Sequence, residues 1–328
     1  MTTQTTLAQE CETAYSGLAV ADLSRYGKIR MTGKDGPDLL NRLTSNETLK
    51  LAPGHFTTTV LTSNKGRIVE HLTVYTTAEN EITLLCGPGN AQKVIDYIDK
   101  FVFGEDVQMA DVTSELALFH VLGKDASSVI TKLTSNAALF AERLLLSIDV
   151  GGAHAFVSQA PTIAGVSSAF VLCTATNAAQ VQSAIGGVPI SAEAYEVLRI
   201  EAGVPMHDKE LNEEHNPWEA RLNKSIDLHK GCYVGQEVIA RLNTYEKVAR
   251  LMIGLEFPAG ALPAADAKLY ADGNEVGNVT SAVFSPRLNK NIGLGYVRMK
   301  WTVAGSKLNV GVPDSAHGAA VADLPFSC

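Results

Sequence analysis

Residues 230–237, Lys230-Gly231-Cys232-Tyr233-Val234-Gly235-Gln236-Glu237, set one thiol in surroundings suited to exposing and ionising it. Lys230 and its neighbour His229 bring cationic donors beside Cys232, Gly231 and Gly235 permit tight turns, and Glu237 and Arg241 stand one helical turn apart just downstream. Positive charge and a nearby helix N-terminus both favour thiolate over thiol. A cysteine taken at random is most often a buried small hydrophobe. Flanks of Lys, Gly, Tyr, Gly, Gln and Glu argue against an apolar core position, so a reactive or ligand-seeking thiol is expected at Cys232.

The five cysteines, at positions 11, 86, 173, 232 and 328, are odd in number, far apart and never arranged as C-x-x-C. That spacing argues against a disulfide framework and against a zinc site, so no metal is expected. An iron–sulfur cluster usually needs four thiolates, so such a cluster would be met only transiently or across an interface. With 328 residues, 46% of them hydrophobic and 19% charged, the chain has room for two ordinary globular domains. The net charge of −8, from 27 Lys and Arg against 35 Asp and Glu, argues against a surface for nucleic-acid phosphates. The segment Met1–Glu10 has neither a basic nor an apolar leader pattern, and no stretch reaches the roughly 18 apolar residues of a membrane span. The expectation is a cytoplasmic monomer with no nucleic-acid or membrane partner.

Upstream of the thiol motif, alternation from Leu18 to Ser24 and from Lys28 to Thr32 predicts strands. A helix follows, with Asp35 at its N-cap, Pro37 in its first turn and Leu39, Leu40 and Leu43 as its stripe. Phe56–Leu61, Ile68–Tyr75 and Ile82–Leu85 predict a meander, closed by a helix over 91–101. A looser copy follows: strands over 107–112 and 117–121, a helix over 125–133, strands over 144–150, 154–158 and 169–173, and a helix over 177–185. Strands bunched between helices indicate α+β architecture, as two interleaved sheet-plus-helix units. Ser191 caps a helix through Tyr195 and Ile200 that Gly203 and Pro205 end, which delivers Glu201 to a helix terminus. Beyond Val248, short strands over 251–257, 267–270, 275–283, 292–297 and 307–310 predict a small β-barrel. The boundary falls between 246 and 247, giving domains 1–246 and 247–328.

Here the motifs support a resemblance. The run from Lys230 to Glu237 resembles the signature of the YgfZ family, relatives of the glycine-cleavage T-protein. Arg199-Ile200-Glu201-Ala202-Gly203 resembles the matching T-protein helix end, and Gly277–Ser281, Ser285-Pro286 and Gly293–Val297 resemble the C-terminal barrel. The resemblance implies a T-protein-like domain binding tetrahydrofolate or a one-carbon derivative, followed by a β-barrel, with a role in assembling, repairing or maintaining iron–sulfur enzymes. Partners would then be folate and iron–sulfur client or assembly proteins. It further implies Glu201 at the pterin, Lys230 at a basic folate contact, and Tyr26 and Tyr195 as folate-contacting aromatics. Without it, Glu201 and Lys230 read as solvated charges, and Tyr195 equally as a core residue of its helix. Tyr195 and Glu201 are also about a third of a revolution out of phase on that helix.

Gly66-Arg67-Ile68-Val69-Glu70-His71-Leu72 resembles a T-protein stretch that ends in two aspartates, one of them used in aminomethyl transfer; here Glu70 and His71 stand instead. The extra methylene of Glu70 displaces its carboxylate by about a bond length, which argues against glycine-cleavage activity while keeping Glu70 as a candidate catalytic group. Adjacent on a strand, Glu70 and His71 face opposite ways, one solvated and one partly buried. Gly87-Pro88-Gly89 reads as a turn before a helix. His207, Asp208, Glu213, Glu214 and His215 read as a solvated acidic loop, with metal binding the sharper alternative. Three functions stay open: a folate-dependent accessory protein acting through the Cys232 thiol near the folate cavity, a one-carbon transferase or demethylase acting through Glu70, and a carrier that stores or delivers folate.

Overall fold

The computed structural model describes residues 6–140, 143–244, 248–260, 262–313 and 318–327. It begins with α1 (Leu7–Ser16), started by a capping box between Thr6 and Gln9. Only Cys11 and Ala14 are buried on this helix, too few to mark a stripe in the sequence. There follow β1 (Ala19–Asp22), β2 (Tyr26–Thr32), α2 (Gly36–Leu43), β3 (His55–Thr62), β4 (Ile68–Ala78), β5 (Glu81–Pro88), α3 (Ala91–Asp99) and β6 (Gln108–Asp111). The looser copy comprises β7 (Leu116–Leu122), α4 (Ala126–Thr134), β8 (Leu145–Val150), β9 (Ala153–Ile163), β10 (Val166–Thr174), α5 (Ala178–Ile185) and β11 (Val188–Ile190). Then come α6 (Ala192–Glu201), α7 (Gln236–Thr244), β12 (Arg250–Phe257), β13 (Lys268–Ala271), β14 (Asn274–Ser285), β15 (Lys290–Arg298), β16 (Lys307–Val310) and β17 (Gly318–Ala322). The expected boundary between 246 and 247 lies outside the described residues.

The two sheets are interleaved. One has the order β11-β1-β7-β10-β9-β8 and the other β3-β4-β5-β2-β6, so the chain lays β1 in the first sheet, completes the second, and returns. All pairings are antiparallel except that of β1 with β11. The outer face of the six-stranded sheet buries Val121, Val157 and Val171 against Ile130 of α4 and Val181 of α5. The outer face of the five-stranded sheet buries Ile29, Leu72 and Leu84 against Leu39 of α2 and Val94 of α3. Between the sheets lies a third layer, to which Phe56 and Leu85 come from one sheet, Leu118 and Leu172 from the other, and Leu198 from α6. The Tyr75 and Ser158 hydroxyls, 2.8 Å apart, tie the sheets across it.

The last six strands close into a barrel of order β12-β15-β14-β13-β16-β17, with β17 returning to β12. Leu255, Leu269, Val279, Val297 and Leu308 fill it. The barrel packs on α6, which is buried through most of its length, since sheets, α1 and barrel surround it. Its buried charges are therefore paired. Arg199 donates to Glu210 at 2.8 Å, to Glu196 at 2.5 Å and to Ser281 of β14 at 2.6 Å. Glu210 in turn accepts from Thr280, Ser281 and the Met206 N–H. Among the described residues no helix is long and apolar enough to cross a membrane.

Candidate functional site

Between the sheets lies a cavity of about 400 Å³, walled by Tyr26 of β2, Phe56 of β3, His71 of β4, Phe170 of β10 and Tyr195 of α6. The connection after α6 closes one side with Met206 and His207. Arg143 and Lys224 line it too, and both also line an adjoining open cleft of about 670 Å³. These two cations mark where the spaces meet. The Arg143 guanidinium is held by Thr57 Oγ1 at 2.5 Å and by the Lys224 carbonyl at 3.3 Å. Among the described residues, neither Arg143 nor Lys224 has a carboxylate within 4 Å. An anionic group passing from cavity to cleft would meet both. Sequence reasoning misses them because neither belongs to a motif, and the segment just before β8 and the turn over 223–225 come together only in the fold.

The four residues assigned to folate separate into two pairs. Tyr26 and Tyr195 line the cavity; Glu201 and Lys230 do not. Glu201 is only 1% exposed, and its carboxylate accepts from Tyr15 of α1, from Ser285 at 2.5 Å and from Arg287 at 3.3 Å. The phase difference along α6 accounts for this: Tyr195 faces the cavity while Glu201 fastens α6 to α1 and the barrel. Lys230 is 8% exposed, and its ammonium donates to the carbonyls of Asn41, Thr44 and Asn46 at 2.8, 2.8 and 2.6 Å. It thus caps the C-terminal end of α2, where the orphan carbonyls and negative dipole end favour a cation. Burial pushes its pKa down to about 8, so it stays protonated at neutral pH. Neither residue is the solvated charge that the sequence without the resemblance predicts.

Glu70 is fully buried, not solvated, and His71 faces the cavity. The Glu70 carboxylate accepts from the Gly87 N–H at 3.2 Å and from Asn90 at 2.9 Å, and it touches His207 Nδ1. Burial raises its pKa to about 7 against those two hydrogen bonds, and burial lowers His207 to about 3. Each group disfavours its charged form, so the pair holds its shared proton up to about neutral pH. His207 stands between Glu70 and the cavity. Gly87 makes room for it, since a Cβ there would lie 2.4 Å from the His207 ring. Gly87 and Pro88 end β5, and only Gly89 turns, at φ +77°. His215 is also buried, stacked on Tyr296 with centroids 3.4 Å apart. The loop over 207–215 is therefore pinned at both histidines, and among the described residues no group of His, Cys, Asp and Glu could hold a metal.

Cys232 is exposed and lines neither space, although Ile226–His229 just before it line the cleft. Its neighbours fix its loop. Gly235, at φ +82°, lies so close to the turn before β4 that a Cβ would fall 2.5 Å from the Ser63 carbonyl and 3.0 Å from Gly66 Cα. Thr62 donates to the Val234 carbonyl at 2.6 Å, and Tyr233 is buried beneath the Lys230 ammonium, 5.3 Å from its ring centre. Gly231 meets nothing. Gln236 opens α7, on which Glu237 and Arg241 are exposed. The cation placed beside the thiol by sequence reasoning is turned inward; the thiol stands outward on a turn held by Val234 and Gly235.

Two interleaved sheets enclosing an aromatic cavity with a cationic outlet, backed by a closed barrel, define a scaffold of T-protein type. Residues 1–163 match the GCVT N-terminal domain and residues 250–327 the glycine cleavage T-protein C-terminal barrel domain. The aminomethyltransferase of Geobacillus kaustophilus is 30% identical over 98% of this chain and 90% of its own length. That of Listeria monocytogenes serotype 4a is 27% identical over 97% of this chain and 88% of its own. The glycine cleavage system aminomethyltransferase T of Bartonella henselae superposes with a TM-score of 0.84, at 20% identity, over 98% of this chain and 89% of that one. The chain belongs to the glycine cleavage T-protein family.

Proposed function

We propose that this chain binds tetrahydrofolate or a one-carbon derivative in the cavity between its sheets and serves iron–sulfur enzymes as an accessory protein of the YgfZ type, presenting Cys232 to its partner. The cavity volume falls within the range of small-molecule sites, and its furnishing suits the ligand. Tyr26 and Tyr195 offer faces and edges to a pteridine, Gln159 an amide to its donor and acceptor edge, and Arg143 with Lys224 two cations to the glutamate carboxylates. A bound reduced folate would supply a nitrogen able to carry a one-carbon unit. The observation that carries the accessory role is a contrast: Glu70 is sealed behind His207, while Cys232 is open to solvent on a fixed turn.

The test is a titration with tetrahydrofolate together with iron–sulfur enzyme activity in cells. Arg143→Ala with Lys224→Ala should weaken binding about tenfold or more. Cys232→Ala and Cys232→Ser should leave binding unchanged and lower cluster-enzyme activity. Unaltered activity in both cysteine variants would remove the thiol from the proposal.

The Glu70–His207 contact favours a second reading, one-carbon transfer with His207 as the proton-handling group at the cavity and Glu70 behind it. Formation of methylene- or methyltetrahydrofolate from a small amine, abolished by Glu70→Gln and His207→Ala but not by Cys232→Ala, would establish it.

A further inference from the structure

Behind Tyr195 runs a hydrogen-bond chain whose direction is forced. Ser168 donates its hydroxyl proton to the Pro161 carbonyl at 2.6 Å. That is its only proton, so toward His120 Nε2, 2.8 Å away, it accepts, and Nε2 carries the imidazole hydrogen. Complete burial holds His120 neutral, pushing its pKa down to about 3. Nδ1 is then a bare lone pair, and the Tyr195 hydroxyl, 3.0 Å away, donates to it. The imidazole is wedged edge-on against Phe170 and Tyr195, with ring centres 4.8 and 5.6 Å away, which holds it in register. Tyr195 and Pro161 both line the cavity, so the chain begins and ends in its wall.

We propose that Tyr195 is a fixed hydrogen-bond acceptor in the cavity and thereby a specificity-determining residue, selecting ligands that bring an N–H to it. Resting on the folate reading, this means a tetrahydropteridine in preference to the fully oxidised ring, whose corresponding nitrogens are themselves acceptors. For Tyr195 to donate to an oxidised ring, every proton in the chain must reverse, and the Pro161 carbonyl is left without its donor. Loss of the Ser168 hydrogen bond at the exposed Pro161, with the imidazole turned to its other tautomer, corresponds to a preference of about tenfold.

The test has two arms on the full chain. In ¹⁵N-histidine protein without ligand, long-range ¹H–¹⁵N spectra should show His120 Nδ1 unprotonated and Nε2 protonated; a proton on Nδ1 overturns the proposal. Anaerobic calorimetry should give tetrahydrofolate about tenfold tighter binding than folic acid in the parent. In Ser168→Ala, whose His120 is free to take the other tautomer and let Tyr195 donate, that ratio should fall to within about threefold of one. Should Ser168→Ala not fold, Tyr195→Phe serves instead: its tetrahydrofolate affinity should fall while that for folic acid holds. Equal affinity of the two ligands in the parent overturns the proposal and leaves the folate reading intact, whereas binding of neither ligand overturns the folate reading itself.

Discussion

Replacing Lys230 by Met keeps a side chain of similar length and removes only the ammonium. Three buried carbonyls, those of Asn41, Thr44 and Asn46, lose donors at 2.8, 2.8 and 2.6 Å. Leaving a buried acceptor unpaired costs about 1–3 kcal/mol, so the gross loss is roughly 3–9 kcal/mol. Part is returned because the ammonium no longer has to be desolvated, a cost that its lowered pKa attests. A net destabilisation of about 3 kcal/mol is expected, or about 4–5 °C in melting temperature for a protein of 328 residues. Guanidinium unfolding should show a lower midpoint with an unchanged slope. Tetrahydrofolate affinity, measured well below the new melting point, should change less than about threefold, because the ammonium faces α2 rather than the cavity. A Lys230→Met protein as stable as the parent but unable to bind folate would refute this reasoning and return Lys230 to the ligand site.

The two glycines of the same motif should behave oppositely. Gly235→Ala drives a Cβ to 2.5 Å from the Ser63 carbonyl at a φ of +82° and should cost about 3 kcal/mol or leave little folded protein, whereas Gly231→Ala meets nothing and should change urea stability by under about 0.5 kcal/mol. Glu201→Gln should lower stability by about 2–3 kcal/mol through its contacts with Tyr15, Ser285 and Arg287, with folate affinity preserved; lost binding at parental stability would reverse its assignment. Acid should destabilise the fold. Burial depresses His71 and His215 to about 4 and His120 and His207 to about 3, so below pH 6.5 the unfolded chain takes up protons that the folded chain refuses. Glu70, raised to about 7, opposes them with one proton, and the unfolding free energy from urea titrations should still fall by at least about 1.4 kcal/mol per pH unit between 6 and 4.5. A flat profile there would mean that these histidines are not held neutral.

Architecture was largely legible because periodicity reports burial. The meander, the looser copy and the barrel strands left alternating or stripe patterns, and Ser191 caps α6 as its side chain predicts, accepting from the Ala194 N–H at 3.2 Å. What escaped had weak local signals. β11 has three residues and β17 is a short Gly-Ala strand, so neither shows a pattern against its surroundings. At the site, sequence identified residue types that matter but not the directions in which they point. Glu201 and Lys230 are special because burial forces their charges to be paired, and pairing with protein looks the same in sequence as pairing with ligand. Asp35 illustrates the same limit: it sits at the N-cap of α2, yet its carboxylate accepts from the Asp106 N–H at 2.8 Å instead of capping. His207, Arg143 and Lys224 reach the cavity through tertiary contacts that no spacing rule encodes.

The Arg199–Glu210 seam makes the two expected domains poor candidates for separate expression. Truncation ahead of the barrel would strip Thr280 and Ser281 from a carboxylate and a guanidinium that now have almost no water around them. It would also untether the connection that holds Met206 through Glu210 and, one residue on, sets His207 against Glu70. A lesion in a β14 hydroxyl should therefore register at the cavity wall, and the fragment 1–246 should be recovered as misassembled material rather than as a smaller working protein.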